Sequence, residues 1–127
     1  LALNKKALDV GRARFEKHLA KGGPPSGDLW NTLEYTFKSR LSTLEDYAKR
    51  KAYSEETAKY EVWLDSLRKK QQGNWRISEM WCRCVYILFL CRKPHIDEKL
   101  WAKLKEAHSI NRDEDINEAL AKILIGR

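Results

Sequence analysis

The sequence has no apolar stretch long enough to cross a membrane. Its longest, residues 84–91, has eight members against the ~20 that a spanning helix needs. Cysteine is scarce and odd in number, with three at positions 82, 84 and 91. Cys84 and Cys91 lie seven apart on one helix face, too far along the axis to bridge, and no small-secreted-domain spacing is present. Reduced thiols follow, and with them an intracellular setting, cytoplasmic or nuclear. No secretory leader is visible, and the first residue is Leu rather than Met, which admits excision from a longer protein. Sustained period-two alternation is also missing, which excludes a strand-rich fold.

Recognisable chemistry is missing too. There is no serine nucleophile elbow and no phosphate-cradling loop ending in Gly-Lys-Ser/Thr. Cys82 and Cys84 point about 200° apart on a helix, and His95 and His108 have no partnering pair, so four zinc ligands are not assembled. The acidic runs Glu55-Glu56 and Asp113-Glu114-Asp115 sit where helix starts favour acid, outside the apolar settings that shift carboxyl pKa values. No catalytic residue, metal or cofactor is therefore read, and the chain is expected not to be an enzyme.

What the chain does have is helical periodicity. In Trp81-Cys82-Arg83-Cys84-Val85-Tyr86-Ile87-Leu88-Phe89-Leu90-Cys91, and nowhere else, apolar residues cover every helical face. A helix apolar all round must be buried all round, so helix 77–92 is expected as the axis of the fold. Ser78 is its expected cap and Pro94 its end. Upstream, Leu8, Phe15 and Leu19 share a face over residues 4–21, before the Gly/Pro loop 22–27. Asp28 then caps a second helix expected to reach Ala52, striped by Trp30, Leu33, Phe37, Leu41, Leu44 and Ala48. Ser54-Glu55-Glu56 reads as the start of a third, ending near Gln72 ahead of Gly73-Asn74. Asp97 caps a fifth, and a sixth runs from Asp113 to a Gly126 stop. The fold class is all-α, a single compact bundle of five to six helices over residues 1–127. Its expected core is Phe15, Leu33, Phe37, Leu41, Trp63, Leu67, Trp81, Cys84, Val85, Leu88, Leu104, Leu120 and Ile123.

The net charge is +7 and unevenly placed. Residues 1–93 hold 19 Lys+Arg against 11 Asp+Glu, a net of +8, and residues 94–127 hold 6 against 7, a net of −1. A basic field favours nucleic acid, an acidic protein surface or an anionic membrane. With antiparallel neighbours, Lys49-Arg50-Lys51 and Arg92-Lys93 fall at one pole. Lys17, Lys21, Arg68-Lys69-Lys70 and Arg76 fall at the other. The plain reading of these clusters is cations at helix C-termini, where the backbone dipole favours them. The richest functional segment is Arg68-Lys69-Lys70-Gln71-Gln72-Gly73-Asn74-Trp75-Arg76. Its cations suit phosphates, Gln72 suits a sugar or base edge, and Trp75 suits stacking on an unpaired base. The competing expectation for Trp75 is a ring packed on the end of the bundle.

Two short segments resemble known families. His18-Leu19-Ala20-Lys21-Gly22-Gly23 is similar to the histidine phosphotransfer pattern, which would imply an exposed phospho-accepting His18. Pro24-Pro25 ends the helix where that family continues it. Gly27-Asp28-Leu29-Trp30, with basic residues upstream and a later Cys-containing apolar helix, resembles a lentiviral matrix domain, implying an anionic membrane surface as partner. Neither carries a diagnostic motif, and the chain is assigned to neither family. The expectation is a basic binding module for DNA or RNA, using Arg68, Lys69, Lys70, Gln72, Trp75 and Arg76 with Lys49, Arg50, Lys51, Arg92 and Lys93. The alternative is a protein-interaction or assembly module. A contiguous positive groove would favour the first, and separated clusters would not.

Overall fold

The computed structural model describes residues 2–21, 27–43, 47–71 and 73–127. These form six helices and no strand: α1 Ala2–Ala20, α2 Gly27–Thr43, α3 Tyr47–Lys70, α4 Trp75–Arg92, α5 Glu98–Ile110 and α6 Glu114–Ile125. They fall into two compact units, Leu1–Thr43 and Leu44–Arg127.

In the first unit α1 and α2 pair through Leu8, Phe15, Trp30, Leu33 and Phe37, all buried. Gly11 lies at their contact: a Cβ there would lie 3.0 Å from Leu33 Cδ2, so an added methyl would need the Leu33 side chain to give by a few tenths of an ångström. Phe15 meets Trp30 edge-on, with ring centroids 4.8 Å apart at 84°.

In the second unit α4 is central and packs against α3, α5 and α6. Ile77, Glu79 to Val85, Ile87 and Leu88 are buried, so the apolar segment is enclosed over most of its length, while its Tyr86, Phe89, Leu90 and Cys91 are half-buried. Of the expected core, Trp63, Leu67, Trp81, Cys84, Val85, Leu88, Leu104 and Leu120 are buried here. Ile123 is only half-buried, and the Leu41 side chain lies outside the described residues.

Three helix starts differ from expectation: α2 already includes Gly27, so Asp28 lies within its first turn rather than capping it. The second helix stops at Thr43, and α3 runs unbroken from Tyr47 through Ser54. Ser54 therefore caps nothing. Tyr53, Thr57, Tyr60, Leu64 and Leu67 are all buried and recur at three- and four-residue spacing, so one stripe passes straight through the expected boundary. The α4 cap is Asn74, not Ser78. Its Oδ1 accepts from the N–H groups of Arg76 (3.2 Å) and Ile77 (3.4 Å). The helix thus begins two residues before the expected 77, with fully buried Ile77 inside its first turn.

Several polar groups inside this unit pair with one another, although Arg68 Nε, Arg83 Nη1 and Asn117 Oδ1 are buried without a hydrogen-bond partner. The Trp81 indole Nε1 donates to Glu61 Oε2 at 2.9 Å, and Lys103 Nζ takes the other carboxylate oxygen. The Arg68 guanidinium stacks 4.0 Å over the Trp81 ring while pairing with Asp65 (2.7 Å) and Glu106 (2.8 Å). At the corner between α5 and α6, buried Glu79 accepts from the Arg112 N–H at 2.6 Å. Buried Arg83 pairs there with Asp113 at 3.4 Å.

Candidate functional site

The α3–α4 hairpin determines where the predicted residues go. Its turn is built by Gly73, at φ +90°, and by Asn74, whose N–H donates to the Gln71 carbonyl at 3.2 Å. Capping at Asn74 makes Trp75 the first residue of α4, on the rim of the hairpin. Trp75 is 51% exposed, so it is at most partly packed on the end of the bundle. The Arg76 guanidinium lies 5.7 Å from its centroid, within cation–π range.

The structure divides the basic run 68–70 by role. Arg68 is committed to the interior, its side chain 13% exposed and held by Trp81, Asp65 and Glu106. Lys69 pairs with Asp65 at 3.0 Å but remains 66% exposed. Lys70 is exposed and carries no ion pair among the described residues. Gln72 lies outside the described residues. The surface that remains is Lys69, Lys70, Trp75 and Arg76.

The other cluster sits at the far end of the same hairpin. Arg50, half-buried, and exposed Lys51 lie in the first two turns of α3, and the Lys49 side chain lies outside the described residues. They share that end with Arg92, in the last turn of α4, and Lys93, its cap, because the helices are antiparallel. The expected grouping therefore holds, but for another reason: residues 49–51 begin α3 rather than ending α2. The dipole cannot account for cations at a helix start, where it disfavours them. With 18 residues in α4, the two ends are ~27 Å apart, so along this hairpin the charge forms two clusters.

A cleft of about 200 Å3 lies between α3, α4 and the start of α5, lined by Ala58, Glu61, Val62, Leu88, Arg92 and Lys103 among others. Both oxygens of its buried acid, Glu61, are already engaged, so it offers no free general base. Among the described residues no three His, Cys, Asp or Glu side chains converge as a metal site. Cys82 and Cys84 are buried and Cys91 half-buried. Burial, reinforced by the Glu79 carboxylate, pushes the Cys82 thiol up to about 12, and its Sγ lies 3.6 Å from the Ala107 carbonyl as a donor. No helix of the described residues is long and apolar enough to cross a membrane.

One charged feature is read only in part from the sequence, which places Lys17 and Lys21 at one pole without joining them to Arg14 and His18. Arg14, Lys17, His18 and Lys21 line a single recess of about 270 Å3 on α1. Their spacing of three, four and seven was the available signal, visible once cations rather than apolar residues are counted along the helix. Comparison with protein families, curated proteins and solved structures returns no match.

Proposed function

We propose that the protein is a non-catalytic nucleic-acid-binding module that engages unpaired bases at the α3–α4 turn. The observation that carries this reading is the half-exposed Trp75, backed by the Arg76 guanidinium and flanked by exposed Lys69 and Lys70. A half-exposed indole leaves apolar surface whose removal from water would favour a partner. A base offers a flat apolar face, and its phosphates offer charge to the neighbouring lysines. Arg68 has no part in the contact, because its guanidinium is spent inside the fold. The Lys51, Arg92 and Lys93 end lies ~27 Å away along the hairpin, and such separated clusters weigh against one continuous positive groove, so the reading rests on the turn and not on total charge.

The assembly alternative needs a contiguous apolar patch. Among the described residues the exposed large apolar side chains are Val10, Tyr35, Val62, Trp75 and Ile125, one on each of five helices, which does not favour it.

The test is titration of fluorescent oligonucleotides at several salt concentrations. Trp75→Ala should weaken single-strand binding by ~1–3 kcal/mol with little change in salt slope. Replacing Lys69, Lys70 and Arg76 with Ala should lower affinity for all sequences and lessen the slope by up to about 2. No measurable binding of the parent chain to DNA or RNA at low salt overturns the reading and puts the assembly module first.

A further inference from the structure

The cationic face of α1 is not explained by the helix that carries it. Arg14, Lys17, His18 and Lys21 are all exposed and lie on one side, at successive spacings of three, one and three. None of the four forms an ion pair among the described residues. Arg12, on a different face of the same helix, pairs with Glu16 at 3.3 Å. Like charges three and four apart repel, so this face works against its own helix. The dipole relieves the last turn, where Lys17 and His18 lie, but Arg14 is a full turn further in. Leu8, Gly11 and Phe15 of the same helix are buried against α2, whereas all four cationic side chains are exposed. The recess they line has no carboxylate among its described lining residues.

We infer that this face is a phosphate-binding site for the backbone of a nucleic acid, a second contact that rests on the reading proposed for the α3–α4 turn. From Arg14 to Lys21 the helix rises ~10 Å, over which one strand of B-form DNA presents about three phosphates. Three full cations and one histidine match that demand. The site reads no sequence, because it meets only the backbone. Trp75 supplies stacking in one unit, and α1 supplies sequence-independent charge in the other.

The experiment replaces Arg14, Lys17 and Lys21 together with Gln in the full chain. Gln is a good helix former and relieves the repulsion, so the helical circular dichroism should be retained. The control variant removes three charges elsewhere in the same unit, Lys6→Gln, Arg12→Gln and Lys38→Gln. Both are titrated with oligothymidylate between 50 and 200 mM salt. The site variant should lose about 2 from the slope of log K against log salt, so its affinity should fall roughly 20-fold less than the parent's over that range. The control should keep most of the parent's slope. Equal losses in both variants, or an unchanged slope in the site variant, overturn the inference and leave the Trp75 reading standing. A parent that binds no oligonucleotide removes both. A third arm uses vesicles containing phosphatidylserine. If the site variant loses vesicle binding and keeps oligonucleotide binding, the face serves a lipid surface and the inference is overturned.

Discussion

Replacing Glu61 with Leu tests whether the polar cluster around Trp81 stabilises the second unit. Glu61 is enclosed, its side chain 3% exposed, and it accepts the indole N–H at 2.9 Å. Leu keeps most of the volume but offers no acceptor. The indole N–H, belonging to a ring with no exposed surface, is then left without a partner, at a cost of ~1–3 kcal/mol. Lys103 also loses its partner, but at 36% exposure it regains water, so that loss adds little. Removing a buried carboxylate returns part of its desolvation cost, which holds the net effect inside that range. Trp81→Phe removes the same bond from the other side and adds a volume loss of ~1–3 kcal/mol. The double variant leaves neither orphan, so it should be more stable than the summed single losses imply, by ~1–3 kcal/mol. Urea unfolding followed by circular dichroism measures all four proteins, with a common m value as the check on the unfolded state. Losses that add within ~0.5 kcal/mol would refute the reasoning, because the indole–carboxylate bond would then contribute nothing of its own.

Leu88→Asp should abolish cooperative unfolding of the second unit, since an unpaired carboxylate would enter a site that is 2% exposed, at several kcal/mol against a total of ~5–15; a thermal midpoint close to the parent's would show that α4 is not the core. The thiols should separate kinetically, with Cys91 labelled by a disulfide reagent in the native state and Cys82 and Cys84 only after unfolding, and prompt labelling of Cys82 would contradict its burial. The Cys82 shift also gives a pH dependence. The thiol's ordinary value is 9.0 and its folded value about 12, so between these the unfolded chain holds fewer protons and stability falls as pH rises, with no contribution below about pH 9. Denaturation midpoints of the parent and Cys82→Ala across that window should converge as pH rises.

The sequence was most legible where composition left one choice. The segment from Trp81 to Leu88 admits burial and little else, and Asp97, Asp113 and Gly126 mark real helix ends. The boundary between α2 and α3 was hidden because no Gly or Pro occurs between Gly27 and Gly73, so nothing local punctuates 45 residues of helix-compatible sequence. Only tertiary contact decides where such a stretch breaks. The site was legible as a cluster but not as a division of labour. Nothing in Arg68-Lys69-Lys70 indicates that the first lies against Trp81 and the third faces solvent, because that follows from the phase of α3 relative to α4 and α5. Trp75 needed the Asn74 cap before its exposure could be read.

The corner at residues 111–113 is held from outside itself. Glu79 accepts the Arg112 N–H, Arg83 pairs with Asp113, and Asp113 also caps α6 through the N–H groups of Asp115 and Ile116. Connections between helices usually tolerate insertions, since their own backbone is solvated and belongs to no packed element. Here one added residue would carry the Arg112 N–H and the Asp113 carboxylate out of reach of two charges enclosed on α4. Both would be stranded in a medium that cannot solvate them. The span between α5 and α6 is thus fixed by chemistry on a different helix. A library of chain lengths at this corner should accept far fewer variants than its position on the surface suggests.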